Sequence, residues 1–255
     1  MRNAVITGAS SGIGLALARE LAKRGYSLAL LARRAELLEE LANELSARGA
    51  KAIALACDVT DLAQVRDAVA RGAEMLGGSF ELAIANAGVS IPGHATKFNV
   101  AEAEQIIRVN YVGMLYLFDA VIPSMVERKS GCFAGVASIA GLRGLPTSGA
   151  YSASKAAMQA FLESARIELV PYGVGVTIVN PGFIDTPMTE KNRFRMPFLM
   201  TAEEAAHAIA DGIDRGERVV EFPKPMSLLM RTVRLVPDVL YEKIMVPAAR
   251  RKEKR

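Results

Sequence analysis

The sequence predicts an α/β fold in which helices cover both faces of one doubly wound parallel sheet. Short apolar runs of strand length alternate with longer stretches of helical periodicity along most of the chain. Most of the short runs are continuously apolar, which is typical of parallel strands that are buried on both faces. A glycine-rich turn connects the first run to the first helical stretch, and such turns open many sheets of this class.

Taken in order, the apolar runs predict seven strands, at Asn3–Thr7, Ser27–Ala32, Ala52–Cys57, Glu81–Ala85, Gly131–Ser138, Gly173–Asn180 and Arg218–Phe222. The stretches between them predict six helices, at Gly12–Arg24, Arg34–Arg48, Leu62–Leu76, Ala101–Arg128, Ser152–Val170 and Ala202–Arg215. Asp61 and Thr201 are residue types preferred at helix N-caps, and Gly25, Gly49 and Gly173 are suited to ending helices. Alternating strands and helices therefore account for residues 3–222.

Chain length and composition favour one domain. The 255 residues can bury a large core without metal or disulfide support. A content of 51% hydrophobic and 23% charged residues is ordinary for a globular protein and excludes a disordered or fibrous chain. No repeat or linker divides the chain. We therefore expect a single domain over residues 1–222, followed by a helical C-terminal extension over residues 223–255.

The cysteine and histidine content argues against a disulfide scaffold and against a metal site. Neither Cys57 nor Cys132 has metal-ligand spacing, and His94 and His207 are the two histidines. Two thiols suit a reducing compartment, so we expect a cytoplasmic protein. The first apolar run, residues 4–6, is too short for a signal peptide, and no run of 18 uncharged apolar residues occurs. We therefore expect neither a leader nor a membrane-spanning helix.

The net charge of +4 is concentrated at the C-terminal end. Residues 224–255 contain nine basic and three acidic residues, a net charge of +6, whereas the remainder of the chain carries −2. A basic body would indicate nucleic acid as a partner, but a basic end on a near-neutral body indicates a local surface role instead. We expect no nucleic-acid partner.

The segment from Val5 to Gly14 reads V-I-T-G-A-S-S-G-I-G, a strand that enters a glycine-rich turn and then a helix. Glycines let backbone N–H groups approach a pyrophosphate, and the helix N-terminus adds partial positive charge. The spacing also fits a plain tight turn, but its place after the first strand favours a bound dinucleotide. The expected contacts come from Gly8, Ser10, Ser11, Gly12, Ile13 and Gly14.

The residues after the second predicted strand indicate which dinucleotide binds. An NAD site usually places a carboxylate about 20 residues beyond the glycines, where it binds the ribose 2′-hydroxyl. Here that position is Ala32, and Arg33 and Arg34 follow it. An arginine pair suits a 2′-phosphate and offers no acceptor for a hydroxyl. We predict NADP(H) over NAD(H); the alternative is that both arginines only begin a solvated helix.

Tyr151 and Lys155 lie four residues apart on a predicted helix and therefore share one face. A free tyrosine has a pKa near 10, and a nearby ammonium favours the phenolate and lowers that pKa. The pair would be a proton donor and acceptor suited to carbonyl reduction or alcohol oxidation. Ser138 ends a predicted strand, where it faces the ligand crevice of a doubly wound sheet. Taken alone, a Tyr–Lys pair at this spacing is mostly coincidence.

At these residues the chain resembles the short-chain dehydrogenases/reductases of the common single-domain type. The matching segments follow the order of that family over residues 3–222: Thr7–Gly14, Asp58, Asn86-Ala87-Gly88, Asn110, Ser138, Tyr151-Ser-Ala-Ser-Lys155 and Pro181–Thr186. The resemblance implies a Rossmann-like fold and an enzyme that transfers a hydride between a nicotinamide coenzyme and a carbonyl or alcohol. The alternative is a catalytically quiet dinucleotide-binding or membrane-surface protein, against which the intact Ser138, Tyr151 and Lys155 argue.

The same resemblance implies a role for each matching position. Tyr151 would be the acid–base residue, Ser138 would orient the carbonyl, and Lys155 would bind the nicotinamide ribose. Asn110 would hold a water of a proton relay, although it would also serve as a packing polar group. The other implied coenzyme contacts are Asp58 and Val59 at the adenine, Asn86, Ala87 and Gly88 beside the sheet, and Pro181, Gly182, Ile184 and Thr186 towards the carboxamide. Asp58 would also suit a strand-end turn.

A variable substrate loop follows the Pro-Gly segment in this family, and here it spans residues 187–200. Its apolar, deformable side chains are Met188, Phe194, Met196, Phe198, Leu199 and Met200. They suit an apolar small-molecule substrate of irregular shape, or they only pack the loop onto the domain. We expect His94 to be a surface loop residue and His207 to be structural or solvated.

The C-terminal extension is rich in apolar residues with arginines between them, and Pro237 divides it into two short helices. These helices either lie on an anionic membrane surface as a peripheral contact or cover the substrate pocket or a subunit face. Family resemblance further implies a homodimer or homotetramer built on the two long helices, Ala101–Arg128 and Ser152–Val170.

Overall fold

The computed structural model describes residues 2–190 and 196–253. Its sheet has seven parallel strands: β1 (Arg2–Thr7), β2 (Tyr26–Ala32), β3 (Ala52–Ala56), β4 (Leu82–Ala85), β5 (Cys132–Val136), β6 (Gly175–Pro181) and β7 (Val219–Phe222). The order across the sheet is β3-β2-β1-β4-β5-β6-β7. The chain therefore winds outwards first in one direction and then in the other, and the direction changes between β1 and β4. The predicted doubly wound parallel fold is confirmed.

The helices are α1 (Gly12–Lys23), α2 (Ala35–Ala47), α3 (Leu62–Leu76), α4 (Val100–Ile107), α5 (Gly113–Arg128), α6 (Gly149–Leu169), α7 (Ala202–Asp214), α8 (Lys224–Leu235) and α9 (Asp238–Glu253). One core cluster joins α1, α2 and α7 to one face of the sheet. A second cluster joins α3, α5 and α6 to the other face. The strands are continuously apolar because both of their faces are buried.

The strand and helix boundaries agree with the sequence prediction to within two or three residues, with two informative differences. The predicted helix over residues 101–128 is interrupted by a π-helical turn at Arg108–Val112, which separates α4 from α5. β5 ends at Val136, so Ser138 lies beyond the strand and caps a 3₁₀ turn at Ile139–Gly141. The apolar periodicity of the sequence does not reveal the π turn, because such a turn adds only a single residue to the helix.

The predicted caps are formed by side chains. The carboxylate of Asp61 accepts hydrogen bonds from the N–H groups of Ala63 and Gln64 at the start of α3. Thr201 and Glu204 form a reciprocal capping box at the start of α7. Gly25, Gly49 and Gly173 follow helices with positive φ, a conformation that glycine adopts without steric cost.

The C-terminal extension is packed onto the domain. In α8, Met226 and Met230 form a small apolar cluster with Ile139, just after the end of β5. The Arg143 guanidinium donates to the carbonyls of Arg234 (2.9 Å) and Val236 (2.8 Å), at the end of α8. It also pairs with Asp238 at 2.7 Å at the start of α9. One side chain thus fastens both helices of the extension to the segment between Ser138 and Tyr151.

One helical stretch of the described residues, Val100–Arg128, is long and apolar enough to cross a membrane by length and composition alone. Its most apolar window has a mean hydropathy of 1.4, and 33% of that window is buried in the protein. The sequence criterion of an uncharged run missed it because charged residues occur within the stretch. Its inward side chains, such as Met114, Leu117, Val121 and Met125, belong to the core beneath the sheet.

Candidate active site

A cleft of about 560 Å³ opens at the carboxyl ends of the central strands. It begins at the glycine-rich turn after β1, passes the ends of β4 and β5, and reaches the segment after β6. β1 and β4 are neighbours at the point where the winding of the sheet reverses. In open α/β sheets this switch point is where ligands bind.

The glycine-rich turn lines the cleft with a backbone conformation and packing that require glycine. A Cβ on Gly14 would lie 2.3 Å from the Gly8 carbonyl oxygen, so only glycine fits there. Gly8 and Gly12 have positive φ. The first turn of α1 contains no acidic residue, and the Ser11 side chain makes no capping hydrogen bond. The N-terminal N–H groups of α1 therefore keep their attraction for an anion.

The predicted 2′-phosphate residues flank the same end of the cleft. The Arg34 guanidinium donates to the hydroxyls of Ser10 and Ser11, both at 2.9 Å, which places its positive charge over the turn. Arg33 is exposed and also lines the cleft. Asp58 lies at the rim with Val59, and its carboxylate accepts from the N–H and hydroxyl of Thr60 at 2.9 and 2.8 Å.

The segment Asn86-Ala87-Gly88 is joined to the end of β1 by side-chain hydrogen bonds. The hydroxyl of Thr7 accepts from the N–H groups of Asn86 and Ala87, each at 3.1 Å. In return, the Asn86 amide donates to the Thr7 carbonyl at 3.0 Å. These bonds fix the two sides of the switch point relative to each other, and with them the floor of the cleft.

Ser138, Tyr151 and Lys155 all line the cleft. Tyr151 and Lys155 lie one turn apart on α6, and the Lys155 ammonium nitrogen is 5.7 Å from the centre of the Tyr151 ring. That nitrogen donates to the Val136 carbonyl at 2.7 Å, at the end of β5. The hydroxyl of Ser138 lies beside the Tyr151 phenol; it donates to the Pro181 carbonyl at 3.4 Å and accepts from the Ala140 N–H at 3.1 Å. The structure therefore brings together the three residues that the sequence singled out.

The protonation of this group differs from the sequence expectation. Burial raises the pKa of Tyr151, and the nearby Ser138 hydroxyl only partly opposes this effect. Burial also lowers the pKa of Lys155 to about 7. Desolvation therefore disfavours the Lys155 ammonium, which donates to the Val136 carbonyl at 2.7 Å. A protonated phenol at neutral pH is suited to donating a proton.

Asn110 is fully buried within the π-helical turn between α4 and α5. Its amide accepts from the Val89 N–H at 2.7 Å and donates to the Val89 carbonyl at 3.0 Å. It also donates at 3.0 Å to the Ser154 hydroxyl, which in turn bonds to the Tyr151 carbonyl. A Cβ on Gly88 would lie 3.3 Å from the Asn110 oxygen and 3.6 Å from the Lys155 nitrogen. Asn110 thus joins the end of β4 to the catalytic helix.

A hydrogen-bond path on the other side of Ser138 was not found from the sequence. The Gln159 amide donates to the Ser138 carbonyl and to the Asn180 side-chain oxygen, both at 2.8 Å. The Asn180 amide donates to Glu221 at 3.1 Å, and Glu221 pairs with Arg231 at 2.9 Å. These residues lie on α6, β6, β7 and α8, so no local spacing in the sequence reveals the path.

The segment after β6 forms the opposite wall. Pro181, Gly182, Ile184 and Thr186 line the cleft, and the Thr186 methyl group would be 3.1 Å from a Cβ on Gly12. The bridge between Ile184 and Met200 closes the base of the substrate loop. Within that loop Met188 lines the cleft, whereas Phe198 and Leu199 are exposed. Phe194 lies outside the described residues.

Neither histidine takes part in the cleft. His94 caps a short 3₁₀ turn through the Thr96 N–H. His207 lies on α7 beside Glu20 and Asp211, at 3.2 and 3.5 Å. Among residues 2–190 and 196–253, no group of three or more His, Cys, Asp or Glu side chains is placed to hold a metal ion.

The fold and this cleft define the class of an oxidoreductase that uses a nicotinamide dinucleotide. The chain belongs to the short-chain dehydrogenase family, whose family model matches residues 2–196. Among known sequences, it is 39% identical over 241 residues to an uncharacterized oxidoreductase of Myxococcus xanthus, covering 94% of this chain and 95% of the relative. It is 34% identical to the ketoacyl reductase HetN of Nostoc, covering 83% and 75% of the two chains.

Solved structures show the same fold. A short-chain dehydrogenase from Sphingobium yanoikuyae in complex with NADPH has a TM-score of 0.80 and 30% identity, covering 88% of this chain and 89% of the other. A short-chain dehydrogenase/reductase from Burkholderia phymatum in complex with NAD has a TM-score of 0.84 and 25% identity, covering 90% and 92%. The first complex contains NADPH and the second contains NAD. Together they support a nicotinamide dinucleotide coenzyme but not a particular one.

Proposed function

We propose that this protein is an NADP(H)-dependent reductase, or equivalently dehydrogenase, that interconverts a carbonyl and an alcohol on an apolar substrate. The observation that carries the proposal is the meeting of Ser138, Tyr151 and Lys155 in the cleft that begins at the glycine-rich turn. The intact site and the oxidoreductase family disfavour a catalytically quiet or purely membrane-surface protein. When bound, the nicotinamide supplies or accepts the hydride.

The residues of this chain perform the proton transfer and hold the reacting groups. The Tyr151 phenol, whose pKa is raised by burial, donates its proton to the oxygen of a substrate carbonyl as negative charge develops there. The Ser138 hydroxyl, which lies beside that phenol, stabilises the same oxygen. Lys155 lies beside the tyrosine ring and supplies positive charge when protonated. In the reverse direction the Tyr151 phenolate removes the alcohol proton, so oxidation gains from alkaline pH.

The coenzyme preference rests on the charge at the turn. Arg34 is held over Ser10 and Ser11, and Arg33 is exposed at the same end of the cleft. Two guanidinium groups there favour a 2′-phosphate over a hydroxyl. The apolar character of the substrate rests on the side chains of Val89, Ile91, Val109 and Met188, which also line the cleft.

The coenzyme preference is tested by comparing kcat/KM for NADPH and NADH. We expect a clear preference for NADPH, which Arg33→Ser reduces by about 10-fold or more through loss of a charge-assisted phosphate contact. Arg48→Ser is the matched control, because Arg48 is an exposed arginine at the far end of α2. A clear preference for NADH in the parent protein would refute the assignment.

The reaction is tested by following NADPH absorbance with small aldehydes, sugars, quinones, steroids and long-chain ketones. For the best substrate, Tyr151→Phe should lower kcat by at least about 100-fold while NADPH binding is retained, because the change removes the proton and keeps the shape. Tyr172→Phe, at a half-exposed tyrosine away from the cleft, should leave kcat unchanged. Near-normal turnover of Tyr151→Phe would mean that another group carries the proton.

The proposal includes a homodimer or homotetramer built on α4–α5 and α6. Half-buried aromatic residues pack between these helices, with Phe118 and Phe161 rings 5.1 Å apart. At the end of α6, Ile167 and Val170 leave 69% and 67% of their surface exposed. Light scattering after gel filtration measures the mass, and a monomer would refute this part.

A further inference from the structure

The helix α8 has apolar side chains on two opposite faces. Met226 and Met230 point into the domain and are 7% and 8% exposed. Leu228 and Leu235 are seven residues apart, two helical turns, so they lie together on the outward face. They are 69% and 83% exposed. A surface helix needs one apolar face to pack on its domain and is normally polar on the other, so the outward face indicates a contact outside the domain.

The helix α9 also carries exposed apolar residues. Its Tyr241 donates to the Gly144 carbonyl at 2.7 Å, which holds the helix on the segment between Ser138 and Tyr151. The outer apolar face is defined as Leu228, Leu229, Leu235, Val239, Leu240 and Ile244, which are each more than half exposed. Lys224, Arg231, Arg234 and Lys243 lie on the same two helices.

Charge indicates what covers this face. The extension carries +6 against −2 for the rest of the chain. A two-fold contact with a second copy would bring two such extensions together, and like charges would oppose it. Apolar side chains with interleaved Lys and Arg instead match a bilayer of anionic lipids, where long basic side chains reach the headgroups.

We propose that α8 and α9 dock the enzyme on an anionic phospholipid membrane through the outer apolar face. Both helices contact the segment between Ser138 and Tyr151, through Arg143 and Tyr241. The docked surface therefore adjoins the catalytic cleft. A bilayer bound there would be a source of apolar substrates close to the cleft. Docking itself does not depend on the proposed reaction.

The test is flotation of the full chain with vesicles of phosphatidylcholine alone and of phosphatidylcholine with 30 mol% phosphatidylglycerol, a composition in the anionic range of cell membranes. We expect flotation with the anionic vesicles that falls with added salt. Leu228→Ser/Leu235→Ser should reduce the floated fraction by about 10-fold or more, since it removes two buried acyl-phase contacts. The control is Met75→Ser, because Met75 is half exposed, at 50%, but lies on α3.

Three outcomes would overturn the docking proposal: no flotation of the parent, equal flotation of the double variant, or equal loss in Met75→Ser. Light scattering on the same variants tests the alternative occupant of this face, a second copy of this chain. If Leu228→Ser/Leu235→Ser lowered the oligomeric mass of the parent, the outer apolar face would be a contact between copies of this chain. Both serines replace exposed side chains, so circular dichroism should show an unchanged fold.

A second and independent observation concerns Arg231 of α8, whose exposed side chain reaches the buried Glu221. The path Ser138–Gln159–Asn180–Glu221–Arg231 consists of four contacts between 2.8 and 3.1 Å. Glu221 is 7% and Asn180 3% exposed. A buried carboxylate is stable only when it is paired and hydrogen-bonded, so Arg231 holds Glu221, and Glu221 orients the Asn180 amide.

We infer that this path makes Gln159 and Arg231 positioning residues for Ser138. The Ser138 carbonyl is held by Gln159, while its hydroxyl faces Tyr151. Rotation of this backbone would move the hydroxyl that binds the substrate oxygen. Displacements of about 1 Å at such a site cost up to about 100-fold in rate. This inference rests on the proposed function.

The test compares Arg231→Ala, Arg231→Lys and the control Arg234→Ala, which removes an exposed arginine of the same helix. We expect Arg231→Ala to lower kcat by about 10-fold without changing the dissociation constant of NADPH, with partial rescue by Arg231→Lys. Gln159→Leu should act in the same way. Equal kcat values for Arg231→Ala and Arg234→Ala would overturn the inference.

Hydrogen exchange provides a readout that does not require turnover. Peptides over residues 138–150 should exchange faster in Arg231→Ala and Gln159→Leu than in the parent or in Arg234→Ala. Unchanged exchange of these peptides overturns the positioning role. If instead exchange changes as expected but Tyr151→Phe retains full activity, the positioning path stands and the proposed reaction fails.

Discussion

At the scale of single residues, Lys155 is the group on which burial acts most directly. Its ammonium has the Val136 carbonyl as a partner, and desolvation brings its pKa from the usual 10.5 down to about 7. In the unfolded chain the lysine stays protonated up to much higher pH. Between these two values the unfolded chain binds more protons than the folded one, so the free energy of unfolding rises with pH.

We therefore predict that the apoprotein becomes more stable between pH 7 and pH 8.5, and that Lys155→Met abolishes most of this rise. The expected gain is about 1 to 2 kcal/mol, from the pKa difference. Burial raises the pKa values of Cys57 and Cys132 to about 11 in the folded state, whereas the unfolded thiols begin to ionise near about pH 8.5; this opposes part of the rise equally in both proteins, so the comparison with Lys155→Met isolates the lysine. Urea unfolding of both proteins at the two pH values measures it; parallel curves would contradict it.

Asn110 is a second residue whose effect is local. It satisfies both the N–H and the carbonyl of Val89, and leaving buried backbone groups unpaired costs about 1–3 kcal/mol. Asn110→Ala should therefore lower the free energy of unfolding by about 2–3 kcal/mol. The control Asn43→Ala, at an exposed position of α2, should change it by less than about 0.5 kcal/mol. Equal losses of unfolding free energy in the two variants would mean that the Asn110 hydrogen bonds do not connect the end of β4 to α6.

At the scale of secondary-structure elements, Arg24 connects two helices far apart in the chain. Its guanidinium pairs at 2.7 Å with Glu20 on α1 and with Asp211 and Asp214 on α7. The Arg24 side chain is 17% exposed. The same arginine lowers the pKa values of Glu20, where His207 also contributes, and of Asp211. Three carboxylates therefore depend on one cation.

We predict that Arg24→Met lowers the free energy of unfolding at pH 7 by about 1–3 kcal/mol, because like charges on α1 and α7 are left together. Glu20 and Asp211 are stabilised as carboxylates by Arg24, so the difference from the parent should shrink as pH falls through their folded-state pKa values. Arg71→Met is the control, since its pair with Asp67 at 3.3 Å is exposed and worth little. A difference that does not change at acid pH would contradict this account.

At the scale of the whole molecule, Arg143 decides whether the C-terminal extension moves with the domain. It binds the last carbonyls of α8, pairs with Asp238 and lies 4.3 Å from the centre of the Tyr241 ring. The extension is thereby fastened to the segment that carries Ser138 and Tyr151.

Arg143→Ala should therefore release the junction between α8 and α9 while the domain stays folded. In limited trypsin digestion we expect cleavage after Arg234 to accelerate by about 10-fold or more, as local opening becomes easier. The thermal midpoint of the domain should change little. Arg66→Ala, which removes an exposed pair with Asp119, is the control. Equal cleavage rates in both variants would show that other contacts hold the extension.

Prediction from sequence worked best where a single chain segment carries the signal. The glycine-rich turn, Asp61 and Thr201 as caps, and the one-turn spacing of Tyr151 and Lys155 all depend on neighbouring residues. Apolar periodicity was sufficient for the seven strands because each must be buried on both faces. The π-helical turn at Asn110 escaped prediction, since one extra residue in a helix leaves its composition unchanged.

The sequence by itself determined the strand and helix pattern, the glycine-rich turn and which residues form the candidate catalytic group. Those features follow from local spacing and from the need of each apolar run to leave water. Only the tertiary structure decided how the phenol and the ammonium of that group are protonated, and that Gln159, Asn180, Glu221 and Arg231 form a path. Desolvation and contacts between distant elements exist only after the chain has closed around its core.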